Sequence, residues 1–319
     1  MGIKKIAVLY GGMSAERDVS IESGKNIYGA ILELGYEASL IDYPKEFSNA
    51  VMESHDYLFI ALHGEDGESG NLQKILSDKS VPYSGSDAVA CSRTWNKARC
   101  KEILNLNNIS TPQWISIGEL SQESCNLESD KFNVFNLSNP LFLKPEEEGS
   151  SIDVFKITNE SDLSEAIQNC SNNNRPFIFE ECIEHKELTV PILNGRCLPA
   201  VEIITSESFY NYKAKYEKDD TQLLQINCSP EEQEILESIC INTFNVMGCK
   251  GWARIDLLQD FEGEFYVLEI NTVPGMTSHS LFPASAKSAG LDYKSVSYTH
   301  LRAHETREDR GCRRLREKK

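Results

Sequence analysis

The stretch Asp256 to Ser280, DLLQDFEGEFYVLEINTVPGMTSHS, constrains this chain more than any other. Two alternating runs, Trp252 to Leu258 and Glu264 to Asn271, flank a polar DFEG corner, which predicts a β-hairpin. Side chains alternate faces along a strand, so Arg254 and Asp256 share one face of the first arm, and Glu269 and Asn271 share one face of the second. A turn centred on residues 260–264 sets Asp256 opposite Glu269 or one diagonal step from it. Glu269 stands inside the apolar run YVLEI, where an unpaired carboxylate is costly. Two carboxylates and an amide oxygen in one small volume predict a cation between them. An all-oxygen set with room for phosphates and water favours Mg²⁺ or Mn²⁺ over zinc. The competing reading is a hairpin with a solvated acidic face; Val267, Leu268 and Ile270 weigh against it by making the second arm look buried.

A chain of 319 residues has room for two or three domains, each with its own core. Its 40% hydrophobic and 25% charged residues are those of a soluble globular protein. No apolar run reaches the ~18 residues a membrane span needs, and MGIKKIAVLYGG is punctuated too early for a signal peptide. The net charge of −17 argues against a nucleic-acid partner. It also requires that a polyanionic ligand be drawn in by local basic residues or metal. Ten cysteines occur without a CxxC pair, so reduced thiols and a cytosolic location are expected.

Along the chain, the buried strand Ile3 to Tyr10 ends in GGMSAER, followed by a helix with apolar residues at 21, 27, 31 and 34 that stops at Gly35. A second strand, Glu37 to Tyr43, completes an α/β opening of the doubly wound kind. Gly11-Gly12 lacks the GxGxxG spacing of a dinucleotide site. A third strand, Tyr57 to Leu62, leads into HGEDGESGNLQ, at the sheet edge where open α/β folds bind ligands. A helix is predicted over Asn71 to Asp78, and a long one capped by Ser86-Asp87 and running to about Asn107. The strands Gln113 to Ile117, Pro140 to Pro145, Val154 to Thr158 and Pro176 to Ile183 come next, with a helix over Glu160 to Cys170. The loop EEEGSSIDV reads equally as a phosphate cradle or a hairpin turn. Residues 186–207 predict a hairpin about Asn194-Gly195. Ser208 to Gln222 is a polar stretch without period, expected to be a mobile lid. Pro230 to Met247 is an amphipathic helix. From Ser297 the sequence SYTHLRAHETREDRGCRRLREKK has no amphipathic period. It reads as a basic interaction tail or, better, as an out-of-frame or vector-derived junction.

Four separated blocks, GGMSAERDVSIESG, ALHGEDGESGNLQ, LKPEEEGSS and GWARIDLL with YVLEINTVPGMTSHS, occur in order from about residue 3 to about 295, with KAKY at 213–216 between them. Together they resemble the D-alanine–D-alanine ligases of the ATP-grasp superfamily, and ordered blocks are more specific than any one motif. The resemblance implies an ATP-grasp fold, α/β at the start and α+β later. It divides the chain into an N-terminal domain (1–95) with a first D-alanine site, a central subdomain (96–184), and a C-terminal domain (185–296) with the metals and a second D-alanine site. Residues 297–319 form an atypical, disordered tail, replacing after Val296 the apolar helix that ends the family's fold, with a loss of stability.

The activity the resemblance implies is ATP-dependent ligation of two D-alanines through an acyl phosphate, for peptidoglycan precursors, in a cytoplasmic homodimer. Its alternatives are another ATP-grasp carboxylate–amine ligase, of the D-alanyl-D-lactate type, or a nucleotide-binding protein without turnover. Lys97, Lys144 and Lys215 would hold phosphates; Glu180, Glu181 and Ile183 the adenine; Glu187 the ribose. Asp256, Glu269 and Asn271 would hold two Mg²⁺ or Mn²⁺ ions, and Arg254 and the NH of Gly275 the developing oxyanion. Glu16 would grip the first D-alanine's ammonium with Ser150 and Tyr216 as its partners, near His63, Glu68 and Tyr210. Ser280 and Leu281 would receive the second D-alanine. The presence of Tyr216 favours the dipeptide over the ester. One departure is the acidic pair Glu146-Glu147, expected to repel phosphate.

Overall fold

The computed structural model describes residues 3–136, 139–205, 221–226 and 228–301. Lys5–Gly11 (β1), Glu37–Tyr43 (β2) and Tyr57–Ile60 (β3) pair in parallel in the order β2-β1-β3. Ile6, Ala7, Val8 and Leu9 are fully buried, as suits a central parallel strand covered on both faces. The strand order reverses at β1, so a crevice opens beyond the carboxyl ends of β1 and β3, where Gly11-Gly12 and Leu62-His63 lie. The helix Asn71–Asp78 has the expected bounds, and a short helical turn, Glu65–Glu68, precedes it.

The long helix expected up to Asn107 is instead two helices, Ala88–Trp95 and Lys97–Leu106. Asp87 caps the first by accepting from Ala90 N; Asn96, extended at ψ 110, caps the second by accepting from Arg99 N. The Asn96 amide also donates to Glu146 and Glu147. A cap with tertiary partners breaks the helix although the apolar period runs through it.

The central sheet joins Trp114–Glu119 (β4), Leu141–Pro145 (β5), Phe155–Ile157 (β6) and Pro176–Glu181 (β7) in the antiparallel order β4-β7-β5-β6, with the helix Glu160–Asn169 beside it. The third sheet holds Lys186–Leu193 (β8), Arg196–Cys197 (β9), Val201–Ile204 (β10), Gln222–Gln225 (β11), Trp252–Gln259 (β12) and Phe265–Asn271 (β13), ordered β11-β10-β8-β12-β13, with β9 against β8. Asn194 and Gly195 adopt φ of 50° and 76°, as a two-residue hairpin turn demands. The helix Pro230–Met247 has the expected bounds, set by a capping box between Ser229 and Glu232 and by left-handed Gly248. Of the expected lid, residues 208–220, with Tyr210, Lys215 and Tyr216, lie outside the described residues; Gln222 already belongs to β11.

Three cores result. One fills the central subdomain. One lies between the third sheet and the helix Pro230–Met247, and takes in Cys100 and Leu104 from the helix Lys97–Leu106. The first core joins the parallel sheet to Trp252, Met276 and Phe282, so the N-terminal sheet is buried against the carboxyl-terminal elements.

The tail boundary at 297 needs correction. A helix over residues 293–301 crosses it, with Val296, Ser297, His300 and Leu301 buried. His300 packs 4.3 Å from the Trp252 ring and 5.6 Å from Phe59, centroid to centroid. Positions 296 and 300, and 297 and 301, are buried pairs one helical turn apart, a spacing that a boundary at 297 cuts in two.

Gly67 is a place where only glycine fits: a Cβ there would lie 1.9 Å from the Leu62 carbonyl oxygen, whereas one at Gly29 would meet nothing within 4 Å. Gly67→Ala is therefore expected to destabilise by about 1–3 kcal/mol. Gly29→Ala, inside the helix Arg17–Glu33, should stabilise by about 0.5–1 kcal/mol. Urea unfolding of both variants checks this, and a shift of the same sign in the two would refute it.

Candidate active site

A cleft of about 970 Å³ opens where the crevice of the parallel sheet meets β12, β13 and the loop around Ser150. Its N-terminal wall carries Glu16, His63 and Glu68. Glu16 precedes the helix Arg17–Glu33, and its carboxylate lies close to two loops: Cβ atoms built on Gly149 and Gly64 would sit 3.1 and 3.4 Å from Oε2. Glu68 accepts from Gly64 N at 2.9 Å. Burial, reinforced by the charge of Glu16, raises its carboxyl well above the ordinary range. At this end of the cleft Glu68 thus favours its proton.

His63 is buried, and burial lowers its pKa, so the ring is neutral at physiological pH. Its partners assign the tautomer: Nδ1–H donates to Val273 O at 2.9 Å and Nε2 accepts from Ser23 Oγ at 3.2 Å. Ser23 Oγ in turn accepts from Met276 N at 2.9 Å. Asn26 donates to Met276 O at 2.9 Å, and Glu22 accepts from Ser278 N at 3.2 Å. The helix Arg17–Glu33 thereby holds the whole 273–278 loop; none of these three helix residues stands out in the sequence.

That loop presents Gly275, Ser280 and Leu281 to the cleft. A Cβ on Gly275 would come 2.7 Å from Ser280 Oγ, so the close approach of that hydroxyl excludes a side chain. Ser280 precedes the helix Leu281–Ser288, and its hydroxyl accepts from Thr277 N at 3.1 Å.

On the hairpin, Asp256 faces Glu269 and Arg254 faces Asn271 in the strand register, as the sequence predicts. The cation beside Asp256 is Arg254: Nε and Nη2 donate to the two carboxylate oxygens at 2.8 and 2.7 Å, and Thr189 Oγ1 donates to Oδ1 at 2.6 Å. Asp256 is buried behind this pair, while Arg254, Glu269 and Asn271 line the cleft. Among the described residues, no group of three or more His, Cys, Asp or Glu is placed to hold a metal ion. The set here is two carboxylates and an amide.

Lys97 opens the helix Lys97–Leu106, and its ammonium donates to Glu148 O at 2.6 Å. Burial lowers its pKa, opposed by the charge of Glu269. Glu146 and Glu147 are not among the residues that line the cleft. Glu146 accepts from Ser116 Oγ at 2.5 Å and from the Asn96 amide at 3.1 Å, and Glu147 accepts from that amide at 3.0 Å. The following loop holds Ser150 in the left-handed region at φ 52°, with Gly149 and Ser150 on the cleft wall.

The residues assigned to the nucleotide base are not among those that line the cleft, although Glu180 and Lys144 lie in the field of Lys97. Glu180 on β7 is buried between Lys144 and Lys101. Burial pushes its pKa up, but the two ammonium groups outweigh it and hold the carboxyl at about 2. Lys144 also sits 5.1 Å from the centroid of the Phe142 ring. Glu181 ends β7, its backbone NH donating to Gln113 O at 2.8 Å. Ile183 lies between β7 and β8, and Glu187, on β8, pairs in register with Ile203 and Leu258. Lys101 is the group that sequence reading passes over; the signal was a lysine one helical turn after Lys97, among the buried Cys100 and Leu104.

A carboxyl whose folded pKa is raised binds more protons folded than unfolded, so its contribution to stability falls as pH rises above its unfolded value. For Glu68 that loss begins near the ordinary value of 4.5. Glu68→Gln keeps the acceptor for Gly64 and removes the titration. Its thermal midpoint relative to the parent is expected to increase as the pH rises above about 4.5, and a difference that stays flat with pH would contradict the assignment.

The model of the D-ala D-ala ligase C-terminus matches residues 103–299. A D-alanine–D-alanine ligase of Marinobacter nauticus is 38% identical over 304 residues, 93% of this chain and 90% of the relative. One of Glaesserella parasuis is 38% identical over 295 residues, 92% of this chain and 95% of the relative. Among solved structures, the D-alanine–D-alanine ligase of Bacillus anthracis complexed with ATP superposes with a TM-score of 0.83 at 27% identity, covering 96% of this chain and 99% of that one. The VanG D-Ala:D-Ser ligase of Enterococcus faecalis gives 0.80 at 25% identity, over 94% and 99%. With an ATP-grasp architecture and a family match across most of its length, the chain belongs to the D-alanine–D-alanine ligase family.

Proposed function

We propose that this protein joins two D-alanines into D-alanyl-D-alanine, converting ATP to ADP and phosphate, in the supply of peptidoglycan precursors. The observation that carries the reading is the register of β12 on β13, which sets Arg254, Glu269 and Asn271 beside Lys97 on one cleft wall with Asp256 buried directly behind, in a chain 38% identical to ligases of that name. Glu16 binds the ammonium of the first D-alanine and Ser150 its surroundings. Its carboxylate oxygen attacks the γ-phosphorus of ATP, ADP departs, and an acyl phosphate forms. Lys97 and Lys144 hold the phosphate chain, since phosphoryl transfer needs positioning and charge neutralisation above all.

The amine of the second D-alanine then attacks the acyl carbon, loses a proton, and phosphate leaves. Arg254 and the Gly275 NH receive the oxyanion that develops there; a planar guanidinium serves two oxygens at once. Ser280, at the start of the helix Leu281–Ser288, holds the second substrate's carboxylate, with Leu281 beside it, where the helix terminus favours an anion. Neutral His63 and Glu68 border the first substrate. Glu180, Glu181 and Ile183 form the adenine subsite, and Glu187 the ribose contact. Lys215, Tyr210 and Tyr216 belong to the same reading: Lys215 at the γ-phosphate, Tyr210 at the substrate, Tyr216 with Glu16 and Ser150.

Asp256, Glu269 and Asn271 would hold two Mg²⁺ or Mn²⁺ ions, a fit supported by donors that are all oxygen and by two carboxylates paired directly in register. Ions bound there neutralise charge on the β- and γ-phosphates. The cytoplasmic homodimer stands with this reading. Among the described residues no helix is long and apolar enough to cross a membrane, and sedimentation as a single copy would remove the dimer. The likeness to a D-Ala:D-Ser ligase supports one competing reading, a different second substrate.

ADP release in the presence of D-alanine and Mg²⁺ should require both. A panel of D-alanine, D-serine and D-lactate as second substrate should favour D-alanine. Glu269→Gln should lower turnover about 10²–10³-fold, the scale seen when one preorganised electrostatic group is lost. Undiminished turnover in that variant would sink the assignment of the hairpin, and ADP release indifferent to D-alanine would sink the reaction.

A further inference from the structure

We propose that Lys101, which does not line the cleft, is the positioning residue that fixes Glu180 as an obligate hydrogen-bond acceptor and so sets a preference for 6-aminopurine over 6-oxopurine nucleotides. The inference rests on the proposed function, in which ATP is bound with its base at Glu180. Lys101 has a side chain 1% exposed, and its ammonium meets Glu180 Oε2 at 2.8 Å and Thr111 Oγ1 at 2.7 Å. The Thr111 hydroxyl donates its own proton to Val267 O at 2.7 Å, so it can only accept from Lys101. The ammonium is thus tied to β7 on one side and to β13 on the other, from the helix Lys97–Leu106.

The two oxygens of Glu180 are therefore unequal. Oε2 meets a cation sealed from water, and Oε1 meets Lys144, whose side chain is 12% exposed at the rim. Lys144 can turn to a phosphate or a ring nitrogen and leave Oε1 to an incoming donor; Lys101 has nowhere else to go. A carboxylate kept ionised accepts from an exocyclic amine and cannot donate to a carbonyl. A 6-oxo group brought to Oε1 sets lone pair against lone pair, and a buried polar group without a partner is costly. Without the Lys101 charge, burial favours the protonated form of Glu180, which donates to the 6-oxo group and accepts the wrong base. Burial lowers the Lys101 pKa while Glu180 opposes that shift, so the pair supports itself only as a pair.

The test compares kcat/KM for ATP and for inosine triphosphate in the parent, Lys101→Met, Glu180→Gln and the double variant. The parent should prefer ATP. In Lys101→Met the ATP-to-inosine ratio should fall ~10–100-fold, the worth of one charge-assisted hydrogen bond, chiefly through KM for ATP, and the fall should be larger at pH 6 than at pH 8. Glu180→Gln should lower the ratio as well, and the double variant should match Glu180→Gln, because both changes act through one carboxylate. A folded Lys101→Met with the parent ratio, or additive effects in the double variant, overturns the proposal. If Lys101→Met does not fold, Thr111→Val, which loosens the ammonium while keeping its charge, should shift the ratio the same way by a smaller factor. An unchanged ratio in Thr111→Val and in Glu180→Gln overturns the proposal equally. Loss of D-alanine-dependent ADP release in the parent would strike the proposed function, whereas normal turnover with an unchanged base preference strikes only Lys101.

Discussion

Pairing Asp256 with Glu269 across β12 and β13 brings two acids together in a sheet whose other face is core, and the rest of the site follows from how that charge is met. Charge taken out of water must be paired and hydrogen-bonded. Asp256 receives Arg254 and Thr189. Glu269 lies in the field of Lys97, and Glu180 receives Lys101 and Lys144. In a chain of net charge −17, Lys97, Lys101, Lys144 and Arg254 are thereby each set against a buried or cleft acid. Of these groups, Lys97 and Arg254 stand on the cleft wall itself, beside Glu269.

The hairpin does not act alone, because the loop after it is held from another part of the chain. Ser23, Asn26 and His63 bond Met276 and Val273, and the first core runs without interruption from β1 and β3 through Trp252 to Phe282. Trp252 sits edge-on to both Phe59 and Phe282, at 5.8 and 5.5 Å. Dense packing of this kind resists small relative shifts. Gly275 and Ser280 consequently keep their separation from Glu16 through shared core together with the hydrogen bonds that tie Glu22, Ser23, Asn26 and His63 to the loop.

Sequence alone served well where one period governs one element. The hairpin shows a period of two with its charged residues in phase, and Pro230–Met247 carries its own stop signals. It served less well where a distant partner decides. The break at Asn96 is invisible because both flanking helices keep the apolar period, and the cap is fixed by Glu146 and Glu147. Those two acids looked like a handicap beside a phosphate site because their partners, Asn96 and Ser116, lie far away in the chain. Lys101 fell into the same gap: as a lysine on a helix it reads as solvated, and only the fold brings Glu180 and Thr111 to it. The family resemblance supplied residue roles that neither period nor spacing contains.

The loop after β5 shows why a position can be kept at a cost in backbone energy. Ser150, Ser151 and Asp153 all have positive φ, at 52°, 57° and 53°, a conformation that disfavours non-glycine residues by roughly 1–2 kcal/mol each. Such strain persists only where the surroundings over-determine it. Here Arg175, at the edge of β7, grips Glu148 on one side of the loop and Asp153 on the other, and Asp153 also receives the Ser171 backbone NH at 3.1 Å. Lys97 holds Glu148 O from the cleft side. A relaxed loop would carry Gly149 and Ser150 away from the carboxylate of Glu16. The clamp therefore converts an ion-pair cluster into a constraint on the cleft wall, which explains why so much charge is spent on a turn of six residues that make no strand or helix of their own.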